Sequence, residues 1–261
     1  MNQKYEPLST NTFKMFFDGV LLLIVGGLFF NLEFSRALWW WIIPLGFLYA
    51  TAGIFYFKAL QQEKVHLLIP YSQASQVLFL FAGAFVFLGE AVSFLNIVGA
   101  GLIILGIYLA LSPGQLQFPL LKKGIIFMSI NTLLTVLYLL LLKKAVVVLP
   151  AHPITLAIGM YFSTTLFLIA YMLLVGYREN HNFNFQARSG KILISAIFGA
   201  LGTLLLYAAL ETGKATQIYP LAGLQAVFVF FLAYLLLGEK VSWFKLSGTL
   251  LVFGGVFLVL A

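Results

Sequence analysis

The chain contains no cysteine among its 261 residues, which excludes disulfides, thiol nucleophiles and thiolate metal ligands. Charge is nearly as scarce, at 9% of residues, so the hydrated surface of a soluble domain cannot be assembled from it. Its histidines, His66, His152 and His181, are scattered, and no His-Glu-x-x-His pattern or cluster of acids at one depth supports a metal site or an enzyme. A GxxxxGK[ST] loop is also missing, so nucleotide-driven coupling within this chain is not expected, and neither is a bound cofactor. The N-terminal MNQKYEPLSTNTFK is too long a polar stretch for a signal-peptide n-region, and no small-residue cleavage pattern follows its first apolar run.

Apolar residues fill the space these absences leave. They make up 62% of the chain, with 27 phenylalanines, and the composition names a bilayer as the solvent. The net charge of +7 comes from 15 basic residues that mostly punctuate the apolar runs. Such placement suits topology determinants and gives no basic surface for nucleic acid. Lys4, Lys14, Lys64, Lys122, Lys123, Arg178, Arg188, Lys191, Lys240 and Lys245 fall on one side of the alternation, with Arg36, Lys143, Lys144 and Lys214 on the other, ten against four. This bias puts the N-terminus in the cytoplasm.

One pattern is written twice. An Ala-Leu pair (Ala59 with Leu60, Ala209 with Leu210) precedes a proline (Pro70, Pro220) and an apolar run ending in Leu-Gly-Glu. The run closes on Gly89 and Glu90 in the first copy and on Gly238 and Glu239 in the second. From each glutamate the offsets to Ser93, Gly99 and Gly106 match those to Ser242, Gly248 and Gly255. Aligned landmarks of this kind define an internal duplication, with residues 1–111 as one repeat, 112–120 as a linker around Pro113 and Gly114, and 121–261 as the other.

The apolar runs predict nine transmembrane helices, near 14–30, 39–60, 68–88, 94–111, 122–142, 154–174, 192–210, 217–237 and 243–260. Trp39, Trp40 and Trp41 form an interfacial belt at the second. Glycines seven apart, Gly46 with Gly53 and Gly99 with Gly106, share helix faces and suggest close packing. Asp18 is read about one turn inside the first span, near the interface. With no deeper acid, the sequence favours a facilitator or exchanger over a proton-driven pump. The second repeat supplies five spans and the first only four, so the first lacks its opening helix as written. An odd number of spans per copy inverts one copy relative to the other, the plan of many secondary transporters.

Polar residues inside spans mark candidate binding positions, because lipid offers them no hydrogen-bond partner. Gln73 and Gln76 share a side of the third span, Asn131 and Tyr138 a face of the fifth, and Tyr161, Tyr207 and Gln225 lie within the sixth, seventh and eighth. Amides, hydroxyls and rings suit an uncharged or zwitterionic solute with an apolar portion. Gly99, Gly106, Gly248 and Gly255 read as packing positions, and Glu90 and Glu239 as helix-end anchors.

The order Ala-Leu, Pro, apolar run, Gly-Glu, Ser and two later glycines resembles the EamA-like units of the drug/metabolite transporter superfamily, in both copies and from Lys14 to Ala261. The resemblance implies an all-α polytopic membrane helix bundle of two inverted EamA-like repeats, with nine transmembrane spans here where the family has ten. It implies a small organic metabolite as substrate, moved through a pocket between the two bundles. Pro70 and Pro220 match the family's prolines at the start of pocket-facing helices, and Glu90 and Glu239 its acids closing them. The expected setting is a bacterial inner membrane, with a homo-oligomer left open. The alternative is a degenerate, non-transporting membrane protein of the same fold.

Overall fold

The structure is a computed structural model that describes residues 7–63, 65–111, 122–149, 152–175, 185–224 and 243–260, together with Phe228 and Leu235. The described residues form helices α1 (Pro7–Phe29), α2 (Arg36–Gln62), α3 (Val65–Leu88), α4 (Phe94–Leu111), α5 (Lys123–Val148), α6 (Pro153–Leu174), α7 (Phe185–Thr212), a single turn α8 (Ala215–Ile218), a 3-10 stretch at Tyr219–Gly223, and α9 (Trp243–Leu260). Among the described residues, six helices are long and apolar enough to cross a membrane, and Phe94–Leu109 and Leu246–Val259 are shorter apolar helices. Of the expected eighth span, residues 217–224, Phe228 and Leu235 lie within the described residues.

Most helices follow the sequence, but α7 starts earlier than expected, at Phe185, and so does α1. Pro7 is its first residue, a position where a missing N–H and a fixed φ cost nothing. The polar run behind it is absorbed into the helix: Ser9 and Thr12 are buried, and the Thr12 hydroxyl donates to the Leu8 carbonyl at 2.8 Å. Asp18 consequently sits at the middle of the 23-residue helix, not one turn from its end.

By contact, the chain divides into two compact units, one from the described residues of Met1–Phe57 and Leu141–Thr212, the other from Lys58–Leu140 and Gly213–Ala261. Each combines helices from both sequence repeats. In the first unit α6 is the central element, buried along most of its length from Pro153 to Leu168. Glycines let its neighbours approach. A Cβ on Gly19 of α1 would lie 3.3 Å from Tyr161 Cβ, and one on Gly26 would meet Ile158 Cδ1 at 3.1 Å, so α1 and α6 run antiparallel. On α2, Gly46 packs on Ser163, with a hypothetical Cβ 2.6 Å from the serine Cβ. Gly53, paired with it by spacing, has open space.

The second unit is built on the crossing of α4 and α9. A Cβ on Gly99 would lie 2.6 Å from the Gly255 carbonyl oxygen, one on Gly255 would lie 2.6 Å from the Gly99 carbonyl oxygen, and one on Gly106 would lie 2.6 Å from that of Gly248. These are four of the glycines that the repeat aligns, and they bring the two backbones into contact in antiparallel order. Around the crossing, Val77, Phe81, Ile103, Ile107, Val252 and Val256 form an apolar core. Equivalent helices of the two repeats therefore pair antiparallel inside each unit, α1 with α6 and α4 with α9, as inverted copies must.

The motif residues after α3 have distinct local tasks. Gly89 adopts φ +65°, the left-handed conformation that ends a helix at little cost in glycine, and the Glu90 N–H closes the end by donating to the Ala84 carbonyl at 3.2 Å. Ser93 and Asn96 then open α4 reciprocally. The Asn96 N–H donates to Ser93 Oγ at 3.1 Å, and the Ser93 N–H donates to Asn96 Oδ1 at 3.0 Å, the arrangement of a capping box. Asn96 Nδ2 also donates to the Val259 carbonyl at 2.9 Å, which ties the α4 start to the α9 end. Gly238, Glu239 and Ser242 lie outside the described residues.

Candidate functional site

Two polar arrangements lie within the membrane-spanning helices, one in each unit. In the second unit α3 and α5 run side by side and are joined by hydroxyls. Tyr71 Oη and Ser129 Oγ are 2.7 Å apart, and Ser72 Oγ and Thr132 Oγ1 are 3.1 Å apart. Farther along, Gly83 packs on Leu140, so the contact face of α3 is defined by Ser72 and Gly83. At about 100° per residue, Gln76 falls beside that line and Gln73 at its flank, and both are half-buried. Asn131 and Tyr138 are buried, but lie roughly on the opposite side of α5 from Ser129. The expected amides of α3 thus border the α5 seam, whereas Asn131 and Tyr138 point away from it. The seam itself is made by Tyr71, Ser72, Ser129 and Thr132, polar residues that local sequence does not separate into helix-facing and solute-facing ones.

The start of the second repeat's proline helix is broken in this unit. α8 makes one turn before the backbone tightens into a 3-10 stretch containing Pro220, whereas Pro70 sits within the continuous helix α3. From this stretch the Tyr219 hydroxyl reaches across to α5 and donates to the Leu139 carbonyl at 2.5 Å. Ahead of the break, Glu90 accepts from the Ala215 N–H at 2.7 Å, the Thr216 N–H at 2.9 Å and the Thr216 hydroxyl at 2.8 Å. The acid that closes α3 therefore also caps α8. The sequence motif gives no sign of this partner, which lies 125 residues away.

In the first unit Tyr161 of α6 shares a hydrogen bond with Thr203 of α7 at 2.7 Å, and the Tyr207 hydroxyl reaches the Met160 sulfur at 3.5 Å. Both tyrosines are buried. Tyr207 and Thr203 also line a cleft of about 530 Å³ that reaches His152 and Glu211. His152 is spent on structure: its ring nitrogen accepts from the Ile154 N–H at 3.3 Å, capping α6, and its ring lies 4.4 Å from that of Phe30. A second cleft of about 660 Å³, lined by Trp39, Ile43, Phe162, Leu166 and Phe167, is almost wholly apolar. Lys143, expected among the loop cations, is buried and donates to the Leu210 carbonyl near the end of α7, where a cation offsets the helix dipole.

Lys14 and Asp18 complete the first unit's polar set. The Lys14 ammonium lies 2.6 Å from Asp18 Oδ2, and the aspartate is fully buried. α7 passes this pair at Gly199, where a Cβ would fall 2.7 Å from Lys14 Nζ and 2.8 Å from Asp18 Oδ1.

Of the seven binding positions expected from sequence, four fall in the second unit and two in the first, while Gln225 lies outside the described residues. A family model described as the EamA-like transporter family matches residues 1–112 and 122–261. The chain belongs to the EamA-like transporter family. It is an integral membrane protein of two EamA-like repeats, and the family is one of transporters, not of enzymes. A solved structure titled "Crystal structure of protein" superposes with a TM-score of 0.79 over 99% of this chain and 90% of its own, at 14% identity. A likeness at that identity speaks for the fold alone. No curated relative matches the EamA-like sequence.

Proposed function

We propose that the protein is a secondary transporter that moves a small organic metabolite, uncharged or zwitterionic with an apolar portion, by alternating access of its two inverted repeats. The observation that carries this reading is a duplicated EamA-like scaffold whose spanning helices hold amides and hydroxyls at depth, where lipid could not satisfy them. Gln73, Gln76, Asn131, Tyr138, Tyr161, Tyr207 and Gln225 are the proposed solute contacts. They bring amide and hydroxyl groups but no formal charge, which suits a solute with hydrogen-bonding groups and little net charge. The 3-10 break at Tyr219–Gly223 supports movement at that point, since interrupted helices are where transporter folds bend and expose backbone groups.

A thermal-shift screen of the purified protein against amino acids, nucleosides, sugars and amphiphilic cations tests the reading. A true substrate stabilises the native state by mass action, by about 3 kcal/mol at a hundredfold excess over its dissociation constant, and so raises the melting temperature. The expected result is stabilisation by one solute class that disappears in the Gln73→Ala, Gln76→Ala double variant. Stable protein that no class stabilises would favour a non-transporting membrane protein of the same fold.

A further inference from the structure

Asp18 is the buried titratable group that solute binding leaves unexplained. Its side chain has 0% exposure at the middle of a spanning helix, where an unbalanced carboxylate is costly enough that such residues usually face partners or pathways. Oδ2 has a partner in Lys14 at 2.6 Å. Oδ1 is buried and has no hydrogen-bond partner among the described residues. A buried ion pair kept for stability needs its remaining lone pairs satisfied, and this one leaves an oxygen bare against Gly199. Any larger residue at position 199 would fill the space beside Oδ1, since even a Cβ would stand 2.8 Å away.

Polar residues lie along the helices in both directions from this oxygen. On the N-terminal side Lys14 is about a quarter exposed. In the other direction α7 carries Thr203, Tyr207 and Glu211 beyond Gly199 at successive steps of four residues, about 6 Å each along the axis. Tyr161 and Thr203 are bonded to each other, and Tyr207 and Glu211 border the cleft that holds His152. Of the titratable groups around Asp18, Lys14 comes from its own helix and Tyr49 from α2; Tyr161 of α6 stands against Gly19, the next residue of α1, and its hydroxyl is engaged with Thr203. The nearest cation on α7 is the exposed Lys191, two turns from Gly199.

We propose that Asp18 is the proton-binding site through which transport is coupled to a proton gradient. The proton adds to the carboxylate at Oδ1 and gives the neutral acid without breaking any other bond. Lys14 keeps all its protons and loses its counter-charge, so the pair passes from neutral to a single positive charge. An uncompensated ammonium is driven toward its exposed side, and this links protonation to the packing of α1 on α7. The inference rests on the transporter reading above and departs from the facilitator or exchanger, without a proton-driven step, favoured by sequence.

The full chain reconstituted in proteoliposomes on a solid-supported membrane provides the test, with pH steps applied and no solute added. Wild-type protein should give a transient charge displacement that Asp18→Asn abolishes. Lys14→Met should retain the signal and move its midpoint upward by about one pH unit or more, because the neighbouring ammonium no longer favours the ionised form. Asp18→Glu, which keeps the titrating group, should retain it as well. Should Asp18→Asn fail to fold, the midpoint shift in Lys14→Met decides alone, since a purely structural pair would leave no proton signal to shift. An undiminished signal in folded Asp18→Asn would overturn the proposal. So would a wild-type response to sodium steps at constant pH, or no wild-type response while solute stabilisation persists. A proton signal without any solute stabilisation would sink the solute assignment instead and leave the proton site standing.

Discussion

Glu90 serves two helices at once, its backbone closing α3 and its carboxylate capping α8. Alanine at this position leaves three donors without their acceptor, and loss of a helix cap alone costs about 0.5–2 kcal/mol. Glu90→Ala should lower the melting temperature measurably, with Glu90→Gln recovering part of the loss because its amide oxygen can still accept. Equal melting temperatures for all three proteins would show that the clasp contributes nothing. The Gly-Glu pair was legible as a helix end from sequence, because glycine followed by a polar residue after a long apolar run is a local signal. The cap was not, since Ala215 and Thr216 reach Glu90 only through the fold. Asp18 was misplaced for a related reason. Polar Ser9, Thr10, Asn11 and Thr12 resemble a tail, yet Ser9 and Thr12 are buried and Lys14 is neutralised within the helix at i,i+4.

At the level of helices, the pairing of α4 with α9 depends on side chains that are not there. Gly106→Ala would push its Cβ to 2.6 Å from the Gly248 carbonyl oxygen and 2.7 Å from the Val252 nitrogen. Neither atom belongs to a flexible side chain, so the helices must separate, at about 1–3 kcal/mol for overpacking. Gly101→Ala is the matched control, because nothing lies within 4 Å of its Cβ position. The melting temperature should fall for Gly106→Ala and stay level or rise for Gly101→Ala; the reverse order would refute the crossing. Periodicity marked Gly99 and Gly106 as one face, but the same spacing at Gly46 and Gly53 produced only one packed glycine. Spacing says which residues share a face. Whether a neighbour arrives there is decided by another part of the chain.

For the whole molecule, inversion fixes which loops share a side of the membrane. α1 and α6 run antiparallel, with Phe30 stacked on His152, so the end of one and the start of the other face the same compartment. α2 crosses between Phe30 and Glu63, and Glu63 pairs with Lys122 at 3.3 Å. The chain has no native cysteine, so single cysteines can be read without background. A membrane-impermeant maleimide applied from one side should label Phe30→Cys and His152→Cys together, and Glu63→Cys and Lys122→Cys only from the other. Labelling of all four from one side would break the span assignment.

The amino-acid sequence by itself determined the solvent, the helical class, most span positions and the inverted duplication. These follow from composition and from patterns local to each run, which a bilayer imposes on any chain that crosses it. The tertiary structure alone decided which helices meet and what their polar residues face. It paired α4 with α9 through opposed glycines, turned Asn131 and Tyr138 away from the seam that Ser129 and Thr132 make with α3, and set Asp18 beside Gly199. In an apolar span each such side chain is compatible with several neighbours, and the choice among them is made by contacts between segments far apart in sequence.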